Sequence, residues 1–245
     1  NQLKKQPVWQ WIISMDPQAF IFLGDNVYSE VNRYSEYPKP ERVAMAYQDL
    51  EDRKPYKAFK EASYQKAIKI FSVWDDNDYG ENDAGREFAY RDQSKTLFLD
   101  FFEIPDNAPV RMRPGNYRAG ELLLDHVRVQ VLMLDTRYFR SSLKYHPGQS
   151  ACNNHLIENT DAEATILGDA QWFWLEQQLK QPADLRLIIS SIQLIPKENC
   201  YEKWANFPAE RKRLFDLIKM TRAEGVLILS GDRHFAEISK LPSEY

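Results

Sequence analysis

The sequence predicts an α/β fold. Short apolar runs of strand length alternate with segments of helical period, and several of the runs stop at a Gly, Ser or Asp that opens a loop. The third observation is compositional: 43% of the 245 residues are hydrophobic, enough to fill a sizeable core within one domain spanning 1–245. Charged residues make up 28% with no long block of one sign, which excludes an intrinsically disordered chain. A formal net charge of -4 argues against a nucleic-acid-coating protein. No window approaches the roughly 18 consecutive apolar residues of a membrane span.

Taken in order, Ala19 to Leu23 is a five-residue apolar run ending at Gly24, read as a buried strand feeding a loop. Glu41 to Leu50 and Tyr56 to Ile68 carry helical spacing and are separated near Pro55. Ile70 to Trp74 is a second buried strand, and Gln93 to Phe102 a helix. Tyr117 to Leu124 and Val127 to Leu134 are β-rich runs joined by Asp125-His126, a hairpin signal. Ser141 to Ile166 shows little periodicity and reads as a long surface loop. Asp169 to Leu179 is an amphipathic helix with Asp169 as its cap and Trp172, Leu175 and Leu179 on one face. Leu185 to Ser190 is a strand, Pro208 to Thr221 a helix with Pro in its first turn, and Val226 to Leu229 a last strand before Ser230-Gly231.

Three of these strands run into acidic residues: Asp25 after the first, Asp75-Asp76 after the second, and Asp232 after the last. Ligands of α/β sheets gather outside the carboxyl ends of the strands, so these carboxylates converge if the ends lie side by side. Converging carboxylates repel, and a cation relieves both the repulsion and the cost of burial. The donor set on offer is Asp25, Tyr28, Asp76, Asn82, Asp232 and His234. It is mostly oxygen with one imidazole, which favours calcium, magnesium, manganese or ferric iron over a thiolate-type zinc site. Cys152 and Cys200 form no CxxC pair; they either bridge or stay as two thiols. His126, His146 and His155 read as surface residues.

Each acidic signal alone is an ordinary turn or solvated loop; their joint order is specific. The chain reads Gly24-Asp25-Asn26-Val27-Tyr28, then Trp74-Asp75-Asp76-Asn77-Asp78, then Gly231-Asp232-Arg233-His234. It also carries Asp135-Thr136-Arg137, Gly168-Asp169-Ala170-Gln171-Trp172 and Trp204-Ala205-Asn206-Phe207-Pro208. This set resembles the alkaline phosphatase D (PhoD-like) branch of the calcineurin-like metallophosphatases. The resemblance implies an αββα sandwich truncated at both ends, and two or more divalent or trivalent metal ions, with ferric iron plus calcium favoured. It implies Asp25 as the carboxylate between two metal positions and Tyr28 as a phenolate ligand. Asp76 falls at the second position, Asn82 is a weaker neighbour, and Asp232 and His234 form the closing pair. Arg137 is expected either to hold a phosphate oxygen or to pair with Asp135 or another neighbour. The substrate class implied is a phosphoester, and the setting periplasmic or extracellular.

Two departures from the family pattern bear on activity. Asn77 stands where the branch has a His that serves the leaving group, and Asn supplies no acidic proton. The early metal-binding Cys of the family has no counterpart at Asn1 to Trp9, so its strand is expected ahead of residue 1, with further strands after Pro242. The leading expectation is a phosphomonoesterase or phosphodiesterase working through a metal-activated water, with Asp25, Asn77 and Arg137 as catalytic residues. A catalytically impaired metal-binding protein of the same fold, and a hydrolase acting on another ester or anhydride, are the competing expectations.

Overall fold

In a computed structural model of the chain, residues 1–146 and 156–241 are described. Cys152 and His155 lie outside them, and with Cys152 the question of its pairing with Cys200. The helices are α1 (Val8–Ser14), α2 (Lys39–Glu51), α3 (Lys54–Gln65), α4 (Asp76–Tyr79), α5 (Arg91–Phe101), α6 (Gly168–Leu179) and α7 (Pro208–Met220). The strands are β1 (Ala19–Leu23), β2 (Lys69–Val73), β3 (Arg118–Leu124), β4 (Val127–Met133), β5 (Lys144–Tyr145), β6 (Leu156–Ile157), β7 (Leu185–Ile189) and β8 (Val226–Leu229).

β1 and β2 pair in parallel as one sheet, and β3-β4-β7-β8 form a second. The β3–β4 pair is an antiparallel hairpin closed by Asp125-His126, with Leu124 opposite Val127; β4, β7 and β8 run parallel. The two sheets face each other across Phe71, Val73, Val129, Val131, Met133 and Ile189. Outside the first sheet, α1, α2, α3 and α5 pack an aromatic core that includes Trp9, Phe22, Tyr56, Phe59 and Phe98. Outside the second, α6 and α7 bury Trp172, Leu175, Leu179, Leu214 and Leu217. Four layers result, helix-sheet-sheet-helix, because each sheet has two apolar faces to cover. No helix among the described residues is long and apolar enough to cross a membrane.

The structure differs from the sequence reading in three places. Helix α1 has seven residues, too few to show a period, and is held through Trp9, whose ring lies 4.9 Å from Phe59 and 5.1 Å from Tyr56. The loop beginning at Ser141 contains a two-residue pairing of β5 with β6. Asp169 is not the cap of α6 but sits in its first turn. The first helical amide, Gly168 N, donates instead to Thr165 Oγ1 at 2.9 Å, and Glu210 Oε2 holds the approach to the helix by accepting from Ile166 N at 2.7 Å and Leu167 N at 3.3 Å.

Candidate metal centre

Register brings the strand ends together. Leu23 pairs with Val73, so the loops opened by Gly24 and Trp74 leave the first sheet side by side. Gly24 has φ +101°, and a Cβ there would lie 2.6 Å from the Cβ of Asp75, so only glycine allows the approach. Ile189 pairs with Leu229, and beyond this point Gly231 N donates to Ser191 O at 3.0 Å. A Cβ on Gly231 would meet Leu23 O at 2.7 Å, so the loop after β8 is pressed against the end of β1. Asp25, Asp232 and His234 all have left-handed backbone, at φ +51°, +63° and +56°. Such conformations cost a non-glycine residue about 1 kcal/mol or more each, and the packed strand ends hold them.

One carboxylate oxygen from each of Asp25, Asp75 and Asp76 lies within 4.8 Å of the other two. Asp25 also belongs to a second group: the Tyr28 hydroxyl donates to its Oδ2 at 3.3 Å, and His234 Nε2 is 3.7 Å from the same oxygen. The Tyr28 hydroxyl and His234 Nε2 are themselves 2.8 Å apart. Asn77 stands on the other oxygen, its Nδ2 donating to Asp25 Oδ1 at 3.1 Å and to Asp76 Oδ1 at 3.0 Å. Gln2, fully buried, fixes the Tyr28 backbone from both sides: its Oε1 accepts from Tyr28 N and its Nε2 donates to Tyr28 O, each at 3.0 Å. Asp78 ties the two loops by accepting from Asp75 N at 3.0 Å and Val27 N at 3.1 Å.

Burial and mutual repulsion set the electrostatics of these carboxylates. Burial first, then the charges of Asp76 and Asp78, push Asp25 up to about 8. Burial pushes Asp232 up to about 6 against partial relief from Arg137. Asp75 is driven well above the usual carboxylate range by complete burial, although Arg137 opposes the shift. Asp75 Oδ2 and Asp232 Oδ2 are buried with no hydrogen-bond partner among the described residues. Orphaned carboxylate oxygens beside a three-carboxylate group are the donors a hard cation takes, so the residues present fit a metal centre.

A pH dependence follows for the metal-free protein. Asp25 rises from 3.8 unfolded to about 8 folded, so between these values the folded state holds a proton that the unfolded state has released. Stability is full below about pH 4 on this account and falls as pH rises toward 8. Thermal melts in a chelator are expected to show Tm dropping over that window, and a millimolar excess of calcium or manganese to remove most of the drop. A chelated protein whose Tm rises steadily from pH 5 to 8 would contradict the arrangement.

Of the residues expected from sequence, the structure groups Asp25, Tyr28, Asp76, Asn77 and His234, with Asp232 close enough to Asp75 and Asp76 for their charges to act on one another. Asn82 is not brought in: it is exposed, and its backbone amide donates to Glu30 at 2.8 Å. Of the two expectations for Arg137, the ion pair with a neighbour is the one the structure shows. The arginine side chain is 0% exposed, with Nε and Nη2 both donating to Asp75 Oδ1 and Nη1 donating to Glu202 Oε2 at 2.5 Å. Its fork is spent inside the protein, so it holds Asp75 and not a phosphate oxygen.

Sequence reasoning did not assign Asp75 to the metal group, and it missed the parts that hold it. Ser191 Oγ donates to Asp75 Oδ1 at 2.8 Å, and Arg140 Nε lies 2.8 Å from Glu202 Oε1, closing a buried network. Asp75 was visible as the first acid after a strand. Glu202 and Ser191 sit in no local motif that would have marked them.

Comparison with known proteins places the chain. A model of the PhoD-like phosphatase family matches residues 5–245. The chain belongs to this family. Alkaline phosphatase D of Bacillus subtilis (strain 168) is 23% identical over 197 residues, covering 71% of this chain and 32% of that protein. A solved structure described as the structure of PhoD superposes with a TM-score of 0.65 at 19% identity, over 92% of this chain and 48% of the other. The superposition shows a shared fold. This PhoD-like chain therefore spans about a third to a half of the length of the relatives it matches.

Proposed function

We propose that this PhoD-like chain carries the metal-binding and reacting part of a phosphoester hydrolase that uses an activated water and no protein nucleophile. The observation that carries the reading is the convergence of half-buried Asp25 from the end of β1 and buried Asp75 and Asp76 from the end of β2 onto one spot. Hard cations held there, ferric iron and calcium favoured, would supply Lewis-acid polarisation of the phosphoryl oxygens and a nucleophilic water near neutral pH. Asp25, Tyr28 and His234 would hold the ion that prefers a phenolate. Asp25, Asp75 and Asp76 would hold the ion that prefers carboxylates alone, with Asp232 beside them. The family resemblance supports a setting outside the cytoplasm.

Asn77 decides what the chain's own residues can do for the leaving group. Its amide orients Asp25 and Asp76 and can donate a hydrogen bond, but it has no acidic proton to give. General-acid assistance is worth about 10²- to 10⁴-fold, so esters whose leaving group departs unprotonated are favoured. The expected result is much faster turnover of 4-nitrophenyl phosphate than of an alkyl phosphate, with Asn77→His raising the alkyl rate by about tenfold or more. Equal rates on the two esters would sink this assignment of Asn77. The wider proposal is tested by metal analysis of the intact protein followed by hydrolysis of mono- and bis-nitrophenyl phosphate. Bound metal with no hydrolysis of either ester would leave a metal-binding protein in its place.

A further inference from the structure

With Arg137 sealed behind the metal group, the question is which cation meets the substrate. Arg233 follows Asp232 directly and lies over an aromatic ring, its guanidinium carbon 3.7 Å from the centroid of Tyr201. Its Nη1 is 3.9 Å from Asp232 Oδ2, near enough for attraction but too far for a hydrogen bond. Among the described residues the guanidinium makes no hydrogen bond, and its Nε is buried without a partner. The other arginines near the centre are committed: Arg137 to Asp75 and Glu202, Arg140 to Glu202 and to the carbonyls of Asp83 and Ser141. Lys203, buried and close enough to Arg233 for the two charges to repel, has its ammonium on the Tyr201 carbonyl at 2.9 Å.

We propose that Arg233, pre-oriented by stacking on Tyr201, receives the non-bridging oxygens of the phosphoester and selects for the dianionic monoester. The inference deepens the hydrolase reading above and rests on it. The physical case is that an arginine fork matches two phosphate oxygens, and that its donors here are unspent at the rim of the carboxylate group. The tyrosine face restrains the guanidinium without using its N–H groups, so little freedom is lost when an anion arrives. A monoester offers one more anionic oxygen than a diester and gains more from the same cation.

The test uses the intact, metal-loaded protein and inorganic phosphate as the probe. Arg233→Met is expected to weaken phosphate binding, measured by calorimetry, and to raise KM for 4-nitrophenyl phosphate, each by about 10- to 100-fold, the range of a charge-assisted hydrogen-bond pair. The loss on bis(4-nitrophenyl) phosphate is expected to be smaller, and Arg233→Lys to recover part of the monoester loss. Metal content should match the unsubstituted protein. Phosphate affinity and KM unchanged within twofold would overturn the inference, as would loss of bound metal in Arg233→Met, which would make the residue a support of Asp232. If the unsubstituted protein binds metal but hydrolyses neither ester, the hydrolase reading fails, whereas normal hydrolysis with indifferent Arg233 variants removes this inference alone.

Discussion

Asp25→Asn is expected to lower kcat/KM on 4-nitrophenyl phosphate by about 10³-fold or more, because it removes a charge shared by both proposed groups of metal donors and forfeits several kcal/mol of stabilisation. The same substitution is expected to raise the Tm of the chelated protein at pH 9. There Asp25 is ionised, pressed against Asp75 and Asp76, and a neutral amide of the same shape ends the repulsion. Activity and metal-free stability therefore move in opposite directions, a pattern that general unfolding cannot produce. The measurements are steady-state kinetics, metal content and melts with and without chelator. Activity retained within tenfold, or a lower Tm in chelator, would remove Asp25 from the centre of the site.

Arg137→Ala is expected to destabilise the protein by about 3–5 kcal/mol, the cost of leaving buried charges without their partner. Asp75 and Glu202 are 0% and 2% exposed in their side chains, and both rely on this guanidinium. In a domain of this size such a loss corresponds to a fall in Tm of roughly 10 °C. Adding Glu202→Gln should return part of it, since one of the two stranded charges is then gone. Lys57–Asp52 is the internal control: both side chains are 60% exposed, and Lys57→Ala is expected to cost less than about 1 kcal/mol. Urea unfolding of the three variants makes the comparison. A loss at Arg137 no larger than at Lys57 would mean that the buried network carries no structural weight.

Loss of Arg137 also reaches the three-carboxylate group, because the arginine fixes Asp75 Oδ1 while Oδ2 has no hydrogen-bond partner among the described residues. Partners of this kind typically change metal affinity by about 10- to 100-fold when removed. Stability and the proposed metal binding thus pass through one side chain.

The sequence by itself determined the α/β class and the strand ends at which the acids lie. Alternation of apolar runs with helical periods located β1 and β8 at their observed bounds and the long helices to within two or three residues, because both signals are local. Gly24, Gly231 and the acids that follow or face them marked the strand ends for the same reason: a tight turn and a carboxylate are written in adjacent positions. Only the tertiary structure decided which acids converge and which cations are spent. Asp75 and Asp76 are neighbours where strand gives way to helix α4, and no period tells that the turn aims both of them inward. The partners of Asp75 lie 62 residues away in Arg137 and 116 away in Ser191, and Glu202 is 65 residues from Arg137. Those pairings depend on loops that meet only after the sheets have packed, so Arg137 could be read from sequence as a phosphate ligand while the folded chain uses it to hold a carboxylate.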